Sequence, residues 1–234
     1  MRMKNRVLYF TSTIIWLFVT YLVQAPFSIS LADTAASGPE LTLNQIIDRV
    51  ENQYDVPGFT AGFFQLSTIK AMDISDEATG KIFVKRPGKM RWEYEKPERQ
   101  MIITNGQRLW VYRPEDNQVM LGKSPAFFSD GKGAGFLADI KVLRRKFNIT
   151  QAISDDNLLY ALKLQPIESS ADLSEIYLYI SKKTFEVKTV VTYNVYGDET
   201  RIDLINSLFD RIPDDALFTF TIPEGTDVLT LDEQ

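Results

Sequence analysis

Residues 80–119, GKIFVKRPGKMRWEYEKPERQMIITNGQRLWVYRPEDNQV, decide the fold. Met90, Trp92 and Tyr94 alternate with Arg91, Glu93 and Glu95. Successive strand side chains point to opposite faces, so this run is a strand with one aromatic and one charged face. Asn105-Gly106 lies between two apolar runs, which signals a hairpin turn. Beyond it, Trp110 and Tyr112 form a second aromatic face. Aromatic faces on antiparallel strands line either a packed core or a greasy cavity, and the residues by themselves leave both open.

Upstream, Thr42-x-x-Gln45 has the form of a capping box. Leu43, Ile46, Ile47, Val50 and Tyr54 follow helical spacing, opposite Asn44, Asp48, Arg49 and Glu51. This predicts one N-terminal amphipathic helix, ended by Pro57-Gly58. Strands are then expected at 59–69, 79–86, 89–95, 99–104, 108–113, 117–121, 146–152, 158–165, 174–181, 185–193, 200–208 and 217–222. Turn signals separate them: Pro87-Gly88, Asn105-Gly106, Asp155-Asp156-Asn157, Lys182-Lys183 and Gly197-Asp198. The pattern predicts a single, mainly β domain with a few helices, spanning 41–234. Its expected form is a strongly curved antiparallel sheet making an incomplete, half-open β-barrel.

Residues 124–140, SPAFFSDGKGAGFLADI, break the strand rhythm. Ser124 and Pro125 suit the start of a short helix. Phe127, Phe128, Phe136, Leu137 and Ile140 are apolar, around three glycines. The segment reads as a short helical lid or as a plug at one end of the barrel. Two motif look-alikes fail. Gly122-Lys123-Ser124 lacks the earlier glycine of a P-loop, and Gly133-Ala134-Gly135 has no βαβ unit around it.

The N-terminus reads as a cleaved secretory signal peptide, residues 1–32. Arg2, Lys4 and Arg6 precede an uncharged run from Val7 to Val23, and Ser30-Leu31-Ala32 offers small residues for cleavage. The other reading of that run is an uncleaved anchor, for which it is short. Residues 33–40 read as a flexible leader. Removing the signal leaves 23 basic residues against 31 acidic ones, a net charge of −8. An acidic chain of this kind is not expected to bind nucleic acid. Two local basic clusters stand out: Lys85, Arg86, Lys89 and Arg91, then Lys141, Arg144, Arg145 and Lys146. Each is a solvated face or a docking patch for acidic partners.

The chain has no cysteine and no histidine. That removes disulfides, cysteine or histidine metal sites, and Ser-His-Asp chemistry. It also removes the cysteine on which a bacterial lipoprotein carries its acyl chains. Paired carboxylates remain, and the clearest pair, Glu93 and Glu95, lies on the charged strand face.

Lys85-Arg86-Pro87, Met90-Arg91-Trp92, the strand ended by Pro97, Asn105-Gly106 and the aromatic strand after it carry a resemblance. Together they resemble the periplasmic outer-membrane lipoprotein carrier family, LolA, over about residues 41–225. The resemblance implies a monomeric periplasmic carrier, not an enzyme, with no cofactor. Such a carrier takes lipoproteins from an inner-membrane ABC exporter (LolCDE-like). It shields their acyl chains and delivers them to an outer-membrane lipoprotein receptor (LolB-like). The expected acyl-chain cavity is lined by Phe59, Phe63, Met90, Trp92, Tyr94, Met101, Ile103, Trp110 and Tyr112. Aromatic and methionine side chains suit such a lining, because they are broad or adaptable. The resemblance also makes 124–140 a lid, with Phe127, Phe128, Phe136 and Leu137 as its apolar side chains. Arg86 becomes a latch on lid carbonyls, against the plainer reading of a rim arginine in water. Two other functions stay open: a same-fold periplasmic lipid or lipoprotein sensor, and a carboxylate hydrolase.

Overall fold

The structure, a computed structural model, describes residues 40–124 and 132–231. The signal-peptide reading, most of the leader, and Phe127 and Phe128 lie outside the described residues. The expected helix forms as α1 (Leu43–Gln53). Thr42 caps it as its sequence foretold: the Gln45 N–H reaches Thr42 Oγ1 and Gln45 Oε1 accepts from the Thr42 N–H at 2.9 Å. A cap of this kind contributes about 1 kcal/mol. The apolar stripe does more. Ile46, Ile47, Val50 and Tyr54 are all buried, and each such side chain contributes roughly 1.5–3 kcal/mol.

Among the described residues twelve strands follow: β1 (Gly58–Ile69), β2 (Ile74–Lys85), β3 (Lys89–Lys96), β4 (Gln100–Asn105), β5 (Arg108–Arg113), β6 (Gln118–Lys123), β7 (Phe147–Ala152), β8 (Leu159–Pro166), β9 (Glu175–Ser181), β10 (Val187–Tyr193), β11 (Glu199–Leu208) and β12 (Asp227–Thr230). They make one sheet in the order β12-β6-β5-β4-β3-β2-β1-β11-β10-β9-β8-β7. Here the expectation of a strongly curved half-open barrel is overturned. The sheet is open, neither closed nor strongly curled, with β12 and β7 as its two edges. Nor is it wholly antiparallel, because β12 runs parallel to β6. Hairpin signals fix which strands are neighbours, but closure depends on what the first and last strands meet. The strand expected at 217–222 is absent too. In its place a 3₁₀ turn, Asp215–Phe218, capped by Asp214, leads by an extended segment into β12.

Strand alternation sorts the side chains. Phe59, Ala61 and Phe63 of β1 lie opposite Val84, Ile82 and Gly80 of β2. Ile82 and Val84 in turn lie opposite Trp92 and Met90 of β3. All these side chains share one face, and α1 packs on it. We call it the helix-covered face and its reverse the outer face.

At Gly80 the backbone of β3 approaches β2 closely, beside an irregularity in their register. A Cβ there would lie 1.9 Å from the Glu93 carbonyl oxygen and 2.8 Å from the Phe63 ring. Backbone cannot yield as a flexible side chain can. Gly80→Ala should therefore lower stability by at least the roughly 1–3 kcal/mol typical of overpacking. Urea unfolding checks this, with no loss expected from Ala78→Gly at a half-buried position of β2 beyond about 1 kcal/mol.

Candidate functional site

Five of the nine expected cavity residues come together on the helix-covered face. Phe63 meets Trp92 and Tyr94 edge-on, with ring centroids 4.8 and 5.0 Å apart. Such pairs add about 0.5–1.5 kcal/mol beyond their area. The Trp92 Nε1–H points at Met90 Sδ, 2.9 Å away, so the indole stays inside the apolar layer. Tyr94 donates to Gln65 Oε1 at 3.0 Å, and burial pushes its hydroxyl pKa up to about 12. Phe59 packs with Tyr54 and Phe209. Tyr54, wholly buried, has its pKa raised by the same desolvation, while its oxygen accepts from the Val187 N–H at 3.2 Å.

The cover on this face comes from two places. One is α1. The other is the stretch that follows residues 125–131: a 3₁₀ segment, Lys132–Ala138, then α2 (Val142–Lys146). Phe136, Leu137, Ile140 and Leu143 are buried in the same cluster as Met90 and Trp92. Arg144 joins the two covers, forming an ion pair with Asp48 and one of 2.8 Å with Glu51, both on α1. Arg145 pairs with Asp139 at 2.6 Å. The second basic cluster therefore spends part of its charge inside the molecule. With the cover in place Met90 is 0 % exposed and Trp92 3 %, so the face is closed in this state.

The other four expected residues lie elsewhere. Met101, Ile103, Trp110 and Tyr112 share the outer face, in a separate cluster with Val119. The register explains it. Ile102 of β4 sits opposite Trp92, while Ile103 sits opposite Arg91 and Met101 opposite Glu93. The single cavity lining expected from sequence is thus two linings, back to back. The outer one is covered by the chain's own C-terminal segment. Phe220 packs on Tyr112 with centroids 5.1 Å apart, and Ile222 joins the same cluster.

The first basic cluster fastens that segment. Lys85 and Lys89 both reach Asp215, at 2.9 and 2.5 Å. Arg91 bonds Glu93 at 2.5 Å and donates to the Leu217 carbonyl at 3.1 Å. Arg86 differs. It follows β2 at the turn, and its N–H donates to the Pro57 carbonyl at 2.8 Å. Its Nη2 is buried and meets no hydrogen-bond partner among the described residues. A buried donor of this kind costs about 1–3 kcal/mol until an acceptor reaches it.

Comparison with known proteins places this geometry. A family model described as outer membrane lipoprotein carrier protein LolA matches residues 55–221. The chain belongs to the LolA family. The outer-membrane lipoprotein carrier protein of Azotobacter vinelandii is 27 % identical over 187 residues, covering 80 % of this chain and 86 % of its own. That of Chromobacterium violaceum is 31 % identical over 180 residues, covering 74 % and 81 %. In fold, the chain resembles a crystal structure of an uncharacterized conserved protein from Thermus thermophilus, with a TM-score of 0.53 and 14 % identity. That match covers 80 % of this chain and 98 % of the other. LolA proteins are carriers and not enzymes. Among the described residues no group of three or more metal-binding side chains comes together.

Sequence reasoning missed the strap across the outer face of this LolA chain. The one available signal was Asp214-Asp215 following Pro213, a turn-forming run before an apolar segment. Its consequence is a pH dependence. Lys89 and Lys85 hold the Asp215 carboxyl at about 2, below its ordinary 3.8. A carboxylate depressed on folding contributes stability at pH above 3.8 and loses it as pH falls toward 2. The strap should therefore loosen over that window. Protection factors of the β12 amides, which correct for the intrinsic slowing of exchange in acid, should fall on acidification in the wild type, and Asp215→Asn should show the lowered protection already at neutral pH.

Proposed function

We propose that this protein is a periplasmic carrier that shields the acyl chains of lipoproteins. It takes them from an inner-membrane exporter and passes them to an outer-membrane receptor. The observation that carries this reading is the covered aromatic face. Phe63, Met90, Trp92 and Tyr94 are sealed partly by sheet neighbours and partly by a separate segment, Phe136 to Leu143. A cover made of its own stretch of chain is able to leave without unmaking the sheet. The names of the relatives, and membership of the LolA family, support the same reading.

The magnitudes are compatible with exchange. Lifting Phe136, Leu137, Ile140 and Leu143 exposes four buried side chains, at roughly 1.5–3 kcal/mol each. An acyl chain that takes their place returns about 0.8 kcal/mol per buried methylene, so a dozen methylenes return roughly 10 kcal/mol. The two terms nearly balance, which is what loading and release both need. Within this reading Arg86 is the latch. Its Nη2 is buried, without a partner among the described residues, and on this reading it serves the backbone carbonyls of the lid, for which a guanidinium offers five donors in a fixed fork. The nine lining residues divide accordingly. The acyl chain would meet Phe59, Phe63, Met90, Trp92 and Tyr94. Met101, Ile103, Trp110 and Tyr112 would hold the strap.

Two variants test the reading. Met90→Glu should abolish or greatly weaken uptake of a fluorescent acylated peptide, because a carboxylate there must be desolvated or protonated at a cost of several kcal/mol. Unchanged uptake would overturn the placing of the acyl site. Arg86→Leu removes the latch and favours the open form, so it should load at least as readily and release to the receptor severalfold more slowly. Arg86→Lys should fall between, since one ammonium cannot reproduce the fork. A protein that binds acyl cargo and never hands it on would be a sensor and no carrier.

A further inference from the structure

At the end of the sheet far from Arg86, two hairpin turns meet. One joins β1 to β2 and the other joins β10 to β11. The Lys70 N–H donates to Asp198 Oδ1 at 2.9 Å, tying the first turn to the second. Gly197, at φ 82°, lets the second turn close over the Lys70 side chain, where a Cβ would sit 3.1 Å from Lys70 Cδ. These turns carry what such turns ordinarily avoid. Met72 is 60 % exposed, Val195 57 % and Tyr196 74 %, and the cross-strand pair Ile69 and Ile74 is also exposed. The strand around Ile74 projects, since β3 begins to pair with β2 only at Thr79.

The display is rigid. Asn194 Oδ1 accepts from the N–H groups of Tyr196 and Asp198, each at 2.9 Å, and Asn194 Nδ2 donates to Asp198 Oδ2 at 2.8 Å. From the other side the Val195 N–H donates to the Ala171 carbonyl at 3.1 Å. Ser174 Oγ donates to the carbonyls of Tyr193 and Asn194 at 3.0 and 3.1 Å. The turn that holds Val195 and Tyr196 in solvent is thus tied both within itself and to Ala171 and Ser174. A pre-organised tyrosine beside aliphatic and methionine side chains is the composition of a binding hot spot, and pre-organisation lowers the entropy lost on docking. Clustered exposed apolar groups mark an interaction site.

The surrounding charge says what kind of partner fits. Asp73, Asp76, Glu77, Asp198 and Glu199 flank the patch, against Lys70. An anionic membrane surface would repel it, whereas a basic surface would be drawn to it. We propose that the two adjoining turns are a docking surface for a partner protein that offers an apolar pocket inside a rim of lysine and arginine. The proposal rests on the carrier reading only for the choice of partners to test. It gives the molecule a handle remote from the acyl-chain face, so docking and cargo transfer need not compete for the same side chains.

The test uses the full mature chain and two purified partners, the periplasmic part of the exporter and the lipid-free receptor. Wild type is compared with Met72→Ser/Tyr196→Ser and with Asp76→Asn/Glu77→Gln by surface binding at low and moderate salt. Uptake of a fluorescent acylated peptide and melting temperature are recorded on the same samples. All four side chains are exposed, so folding and uptake should not change. Expected is at least a tenfold rise in Kd for one partner in the apolar double variant. The charge variant should lose most of the salt dependence of docking. Apolar-variant docking equal to wild type, or wild-type docking to neither partner, overturns the proposal. If uptake is intact in that case, the carrier reading still stands. Wild type without acyl uptake sinks the carrier reading instead, while the docking comparison still judges the patch. Two further results overturn the proposal by naming another occupant. One is variant-sensitive binding to phosphatidylcholine vesicles. The other is variant-sensitive self-association in sedimentation.

Discussion

The strands from β1 to β6 carry apolar side chains on both faces, and leaving either face wet would cost more than the domain could bear. Phe59, Phe63, Met90 and Trp92 load one face, and Ile103, Trp110 and Val119 load the other. At roughly 25 cal/mol for each Å² of apolar surface, a few bare aromatic rings would consume the whole net stability of a typical domain, about 5–15 kcal/mol. The sheet is open and cannot hide a face inside a closed barrel. It is covered twice, by different means.

The two covers differ in how they are held. The outer strap is fixed by charge and by sheet pairing: Asp215 between Lys85 and Lys89, Leu217 on Arg91, and β12 laid along β6. It is part of the ladder, and its removal would break backbone bonds. The other cover rests mainly on side chains, Phe136, Leu137, Ile140 and Leu143, with Arg144 bridging to α1. Side-chain contacts with an apolar surface are non-directional, so another apolar body is able to replace them. Under the proposed carrier function this difference, more than any single residue, favours the helix-covered face for cargo and the outer face for structure.

Much of this was legible in the chain. The capping box and apolar stripe of α1 came out as read. So did the strand expected at 89–95, which runs Lys89–Lys96, the turn at Asn105-Gly106, and the common face of Met90, Trp92 and Tyr94. These are local: a period of two or of 3.6 places neighbours on one strand or helix without reference to anything distant. Membership of the LolA family was also legible, in the Arg86-Pro87 to Trp92 stretch. The charge clusters were visible but not their partners. Asp215 is 126 residues from Lys89 along the chain, and no local pattern links them.

The sequence by itself determined which residues of a strand share a face. Only the tertiary structure decided which faces of different strands join, whether the sheet closes, and what covers it. β4 is the clearest case. Met101, Ile102 and Ile103 are apolar in succession, so alternation cannot say which of them looks the same way as Trp92. The register does, setting Ile102 opposite Trp92 and turning Ile103 to the strap. A shift of one residue reverses every side chain of a strand, and register is fixed by the packing of both faces at once. Closure is likewise a relation between the two end strands, β7 and β12. They are far apart in the chain, and each is placed by its own neighbours, β8 and β6.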